Sequence, residues 1–261
     1  MSDFDLAAST YDSDFSETFV GKSQRNLVWD FLKSKITLAD KNVLEINSGT
    51  GIDALFLVQN GANVLVSDIS DEMLKIAQSK FKHSNLTGKV KFQNIDLKNF
   101  TIQEKKFDLI FSNFGGLNCL SSNEIMELSQ KFHQILTENG KLILVIMPSF
   151  CLWESCYFLM KLNFKNAFRR LSSKPAIADV SGIKVKTFYY SPSTIKNIFK
   201  NNFSVAALKP VGFFIPPSYL QPLLNKFSFI QKPLFNLEKL SHSFTFTTYF
   251  SDHYLIELKK I

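Results

Sequence analysis

Apolar positions fall into two alternating rhythms along the first half of the chain. Short runs at Val43–Ile46, Asn63–Ser67, Val90–Asn94, Phe107–Ser112 and Lys141–Met147 are rich in β-branched and aromatic residues. They are bounded by Gly, Asn, Asp or Ser, which predicts five strands. Helical spacing lies between them. Lys22–Lys35 sets Leu27, Val28, Phe31 and Leu32 on one face, and Ile52–Asn60 is closed by Gly61. Ser70 is a good N-cap, with Asp71 and Glu72 in the first turn of a helix to Phe81. A further helix covers Glu124–Leu136, and Gly140 opens the fifth strand. Alternation of this kind predicts a parallel, doubly wound α/β sheet.

The second half reads differently. Phe150–Leu171 predicts one helix, and Ala178–Tyr190 a small hairpin turning at Ser181-Gly182. Ser193–Asn201 predicts a helix and Phe203–Val211 the sixth strand. Pro216–His242 is an apolar helical insertion broken by proline, and Thr245–Leu258 the last strand. Two final strands joined by an excursion predict a partly antiparallel edge. Asp3–Ser16 reads as an extended arm. The longest apolar stretch, Leu142–Trp153, is broken by Pro148 and Ser149 and is too short to span a bilayer.

At 261 residues and 45% apolar, the chain can bury a single core, with insertions at 150–195 and 212–245 as a cap over a substrate pocket. Cys119, Cys151 and Cys156 have no metal-binding spacing, which favours reduced thiols in the cytoplasm and no metal site. The acidic N-terminus lacks the apolar run of a signal peptide. The net charge of +7 is divided unevenly, −4 in residues 1–130 and +11 in 131–261. A lysine-rich solvated surface explains the basic half; an acidic partner or a membrane surface is the sharper reading. No nucleic-acid-binding module or repeat is visible.

Candidate chemistry concentrates at Val43–Ala54, where a strand ending in Glu45 runs into Asn47-Ser48-Gly49-Thr50-Gly51 and then a helix. Such a turn lets a ligand approach the backbone and the free N–H groups of a helix start. Asp68 ends the next strand, where an acid accepts hydrogen bonds from a ribose diol. A nucleoside-containing ligand is expected across these two strands. Gly49-Thr50-Gly51-Ile52-Asp53-Ala54 also satisfies the dinucleotide pattern G-x-G-x-x-A, so an NAD(P)-dependent oxidoreductase is an alternative. Glu45 argues against it, because a carboxylate there repels a pyrophosphate. Asp53, in the first turn of a helix, reads equally well as a complement to the helix dipole.

Glu45–Gly51 resembles the first motif of the class I S-adenosylmethionine-dependent methyltransferases, with Asn47 in place of the first glycine. Asn tolerates positive φ, so the departure is mild. The resemblance continues in order through Asp68, Asp96 in Asn94-Ile95-Asp96-Leu97, Phe107–Asn113, and Leu136–Leu142. It implies a Rossmann-like, doubly wound seven-stranded sheet with an antiparallel last strand and a helical and hairpin cap. Glu45 is then expected at the methionine ammonium, and Asp68 at the ribose with Ile69 and Met73 beside it. Asp96 and Leu97 are expected at the adenine, and Ser112 and Asn113 near the methionine part. Asn47, Gly49 and Gly51 would form the turn, with Gly51 leaving room for the cofactor. Tyr11 lies in an arm resembling the segment that closes over the cofactor, and Arg25 is placed to reach the cofactor carboxylate.

The expected activity is S-adenosylmethionine-dependent methyl transfer to an apolar, aromatic or lipid-like small molecule. A protein that binds the cofactor without catalysis is the other alternative. Tyr11, Asn118 and His253 are the candidate catalytic side chains. Tyr157–Leu171 sets Leu and Phe at helical spacing with Lys and Arg between them. A cap helix over the pocket is the favoured reading, and weak peripheral membrane contact the competing one.

Overall fold

A computed structural model describes residues 3–82, 86–102, 106–180 and 182–261. Ser181, expected at the hairpin turn, lies outside them. The first half contains α1 (Phe19–Lys35), β1 (Asn42–Ile46), α2 (Ile52–Gln59), β2 (Asn63–Asp68), α3 (Asp71–Lys82), β3 (Val90–Asn94), β4 (Phe107–Ser112), α4 (Ser122–Ile135) and β5 (Leu136–Ile146). The second contains α5 (Leu152–Met160), α6 (Phe164–Ala167), β6 (Ala176–Val180), β7 (Ile183–Thr187), α7 (Pro192–Phe199), β8 (Phe203–Val211), α8 (Gln221–Lys226), α9 (Gln231–Ser241) and β9 (His253–Lys260).

Seven strands form one sheet in the order β3-β2-β1-β4-β5-β9-β8, and β6 and β7 pair separately as an antiparallel hairpin. The pairings from β3 to β5 are parallel, whereas β9 is antiparallel to both neighbours. The strand order reverses between β1 and β4, so a crevice opens at their C-terminal ends, where ligands of open α/β sheets bind. Alternation along each strand feeds two cores. Leu44, Ile46, Ile110, Leu142 and Leu144 pack on one face with α4 and α7 residues, and Val43, Leu109, Phe111, Ile143 and Val145 on the other with α1, α2 and α3 residues.

Several elements depart from their sequence patterns. The predicted helix Phe150–Leu171 is broken: Leu162 adopts φ +55° after α5, and Asn163 caps α6 by accepting from the Asn166 N–H at 3.1 Å. The predicted last strand begins eight residues late, because Thr245–Tyr249 forms a 3-10 turn. β5 begins at Leu136, where the predicted helix ended, and not at Gly140, with an irregular register opposite Phe107 and Leu109. The arm is not extended: it makes a 3-10 turn at Asp3–Asp5 and a π-helical turn at Asp12–Ser16. No described helix is long and apolar enough to cross a membrane.

Candidate functional site

The crevice is lined by the ends of β1, β2 and β4. Asn47, Gly49 and Gly51 take φ +54°, +52° and +75°, so the asparagine does adopt the conformation its motif needs. The reason for Gly51 differs from the expected one. A Cβ there would stand 2.7 Å from the Ala77 Cβ, so this glycine lets α3 approach α2. Asp68 is buried at the end of β2 and accepts the N–H groups of Gly49 and Ser70, at 2.8 and 2.9 Å. Burial pushes its carboxyl up, partly offset by those backbone donors.

Glu45 is the most unusual group. It is 1% exposed, and its Oε2 has no hydrogen-bond partner. Burial holds its carboxyl well above the usual range, Asp53 adds to this, and Arg25 opposes it. Arg25 and Asp53 are themselves buried and joined at 3.3 Å, Nε to Oδ2. Asp53 also accepts from the Trp29 indole N–H at 2.6 Å and the Asn113 amide at 3.1 Å. The Arg25 guanidinium lies 4.9 Å from the centre of the Phe114 ring, which is carried on backbone at φ +48°. Asn47 donates weakly to Ser112 Oγ at 3.4 Å. Arg25, Glu45, Asn47, Ser112 and Asn113 are therefore brought together. Asp53, which the sequence left as a dipole complement, is the hub. Its signal was faint, because Trp29 and Arg25 become its partners only through packing of α1 on α2.

The arm crosses the same crevice. Asp12 accepts from Thr50 Oγ and from Lys80 Nζ, both at 2.6 Å, and Asp5 accepts from Ser70 Oγ at 2.6 Å. Burial raises the Asp12 carboxyl, but the Lys80 and Thr50 bonds outweigh it and leave it lowered. Tyr11 lies beside Gly49, and burial pushes its phenol up to about 12. Met73 is buried beneath Ala7 and Ala8 of the arm, with Tyr11 packed against the group.

Three further expectations are corrected or narrowed. Asn118 has no carboxamide N–H to spare for a substrate: it donates to the carbonyls of Met147 and Phe188, at 3.1 and 2.6 Å, and accepts from the Met147 N–H at 2.9 Å. It staples the end of β5 to the strand leaving the hairpin. Leu97 is buried in the core, and both Asp96 oxygens accept from their own turn, from the Lys98 N–H and the Asn99 amide at 2.9 Å. Ile69 is 41% exposed at the end of β2.

His253 opens β9 opposite Val211 and meets Phe114 edge-on at 5.8 Å, which puts it at the crevice. Its Nδ1 lies 3.2 Å from Asp252 Oδ2, without the alignment of a hydrogen bond. Asp252 is bound in turn by buried Arg170, which also reaches Glu154. Beyond the Phe188–Tyr190 segment lies a cleft of about 530 Å³, lined by Ser121, Ser149, Arg170 and Tyr190 among others. Its lining mixes Ser and Arg with aromatic side chains.

Residues 43–140 match the methyltransferase-domain family model. A ubiquinone/menaquinone biosynthesis C-methyltransferase from Citrobacter koseri is 28% identical over 108 residues, 40% of this chain and 42% of that one. A tRNA1(Val) (adenine(37)-N6)-methyltransferase from a Flavobacteriaceae bacterium is 36% identical over 75 residues, 28% of this chain and 32% of that one. The chain thus spans less than half the length of these relatives. Among solved structures, the DhpI–SAH complex superposes with a TM-score of 0.63 at 14% identity, covering 98% of this chain and 93% of that one.

Proposed function

We propose, from the match of residues 43–140 to the methyltransferase-domain model, that the protein transfers a methyl group from S-adenosylmethionine to an apolar, aromatic or lipid-like small molecule. The observation that carries the cofactor assignment is Glu45. A sealed carboxylate oxygen without a partner is costly, and the methionine ammonium is the cation that fits it. A pyrophosphate does not fit it. The donor set agrees: Asp68 keeps lone pairs beyond its two backbone bonds for a ribose diol, and Ile69 offers an exposed apolar face for a base.

When bound, the cofactor supplies a methyl on a positively charged sulfur that leaves as a neutral thioether. Glu45 then holds the ammonium, with Arg25 placed for the carboxylate. Asp68 holds the ribose, Asp96 the adenine edge, and Asn47, Gly49, Ser112 and Asn113 the methionine part. The arm excludes water with Tyr11, and alignment of this kind contributes on the order of 7–11 kcal/mol. His253, which stands against Phe114 at the crevice, and Tyr11, beside Gly49, are the remaining candidates for taking a proton from the acceptor; Asn118 is not one.

The acceptor is read from the aromatic insertions and from the quinone named for one relative. The tRNA named for another is disfavoured by the lack of a nucleic-acid module. An apolar acceptor dissolves in a bilayer, so the same reading has a cytoplasmic enzyme meet it by weak peripheral contact. Calorimetry with S-adenosylmethionine, its demethylated product and NAD tests the assignment. Binding of the first two and not NAD is expected. Tight NAD binding with no response to the sulfonium compound overturns it. Binding without transfer to any quinone or phenol leaves the non-catalytic alternative.

A further inference from the structure

Residues 150–175 and 213–250 carry sixteen of the twenty-two large apolar side chains exposed among the described residues. Met160 and Leu162 are 79% and 78% exposed, and Phe229 is 76% exposed. The two segments are joined. The Leu152 N–H donates to the Phe250 carbonyl, the Trp153 indole N–H to the Phe213 carbonyl, and the Tyr157 ring meets that of Tyr219 at 5.6 Å. Both leave the sheet at its C-terminal edge, where β5 and β8 end and β9 begins.

The charge on these segments has one sign. They contain eight Lys and Arg and only two acids, Glu154 and Glu238. Both acids are buried and consumed within the fold. Glu154 accepts from Arg169 and Arg170, and Glu238 accepts the four N–H groups of Gly212, Phe213, Phe214 and Ile215. Lys161, Lys165, Lys174, Lys226, Lys232 and Lys239 are exposed among the apolar side chains. Apolar exposure this dense on two joined segments marks an interaction site. A second copy of the chain would set positive charge against positive charge. The boundary of an anionic bilayer accepts Phe and Leu at acyl depth and Lys at the headgroups.

We infer that these two segments form a docking surface for an anionic lipid bilayer. The surface deepens the reading of an apolar acceptor and rests on it for its purpose, but no residue of the cofactor crevice is used, so its failure and that of the methyl-transfer reading are distinguishable. Flotation of the full chain with phosphatidylcholine vesicles, with and without phosphatidylglycerol, at low and high salt, tests it. Binding is expected only to the phosphatidylglycerol vesicles, and it should be lost at high salt. Met160→Glu combined with Phe229→Glu should abolish it, and Lys232→Ala and Lys239→Ala should each weaken it about fivefold. These side chains are exposed, and binding of S-adenosylhomocysteine reports that each variant is folded. Absence from anionic vesicles at low salt overturns the inference. So does undiminished flotation of the double variant, or a dimer that Phe229→Glu splits with no vesicle binding by either form. Vesicle binding by a protein that ignores S-adenosylhomocysteine would instead remove the cofactor assignment and leave the surface.

Discussion

At the scale of single residues, the crevice is set by groups whose preferences conflict until a ligand arrives. Glu45 is buried with its carboxyl pushed up, so lowering the pH protonates it before an ordinary glutamate. A cationic amino group bound there requires the charged form. Affinity for S-adenosylhomocysteine should therefore rise with pH through the Glu45 titration and be accompanied by proton release. Calorimetry in buffers of different ionisation enthalpy reads that release, and Glu45→Gln should abolish it; a proton count unchanged in that variant would assign the linkage elsewhere. Gly51 makes a different demand. With φ +75° and Ala77 at 2.7 Å from a built Cβ, Gly51→Val should cost about 2–5 kcal/mol of stability. Urea unfolding measures it, and a variant as stable as the parent that merely binds ligand poorly would restore the cofactor-clearance explanation.

At the scale of elements, the arm is held on the crevice by bonds that include those of Asp5 and Asp12. The Asp12–Lys80 pair is only partly buried, so its loss should cost at most about 1 kcal/mol of global stability. Asp12→Ala should nevertheless speed proteolysis around residues 5–20, and S-adenosylhomocysteine should slow cleavage of the parent. Equal cleavage rates in parent, variant and complex would rule out the arm as a closing element. The broken helix after residue 160 makes a related point. The Leu/Phe spacing of Tyr157–Leu171 suggested one amphipathic helix, but the Leu162 backbone turns and Asn163 restarts the chain. The apolar side chains beyond α5 then point outward instead of forming one buried stripe.

At the scale of the whole molecule, pH dependence follows from His242, half-buried at the end of α9. Burial lowers the His242 imidazole to about 4, with Lys209 adding to the effect. Its folded value lies below its unfolded one of about 6.5. The unfolded chain therefore takes up the proton first, and stability is lost as pH falls from about 6.5 towards 4. Thermal melting over that range should show the decline, and His242→Gln should flatten it. An identical slope in the variant would trace the loss to other groups.

The sheet and the strand-end positions that line the crevice were legible in order from the sequence, because they rest on local physics. Short continuous apolar runs make strands, Ser70 caps a helix, Gly61 ends one, and Asn47 tolerates positive φ. Glu45 and Asp68 are at strand ends by position alone. Tertiary structure decided what no local pattern encodes. Packing of α1 on α2 made Asp53 the partner of Arg25 and Trp29, and the approach of α3 gave Gly51 its reason. The fold spent the Asn118 carboxamide on two backbone segments far apart in sequence, and the arm covered Met73. Burial of Glu154 and Glu238 left the insertions with a single sign of exposed charge. Each of these depends on which surfaces meet across long sequence separation, and hydrophobic periodicity carries no information about that.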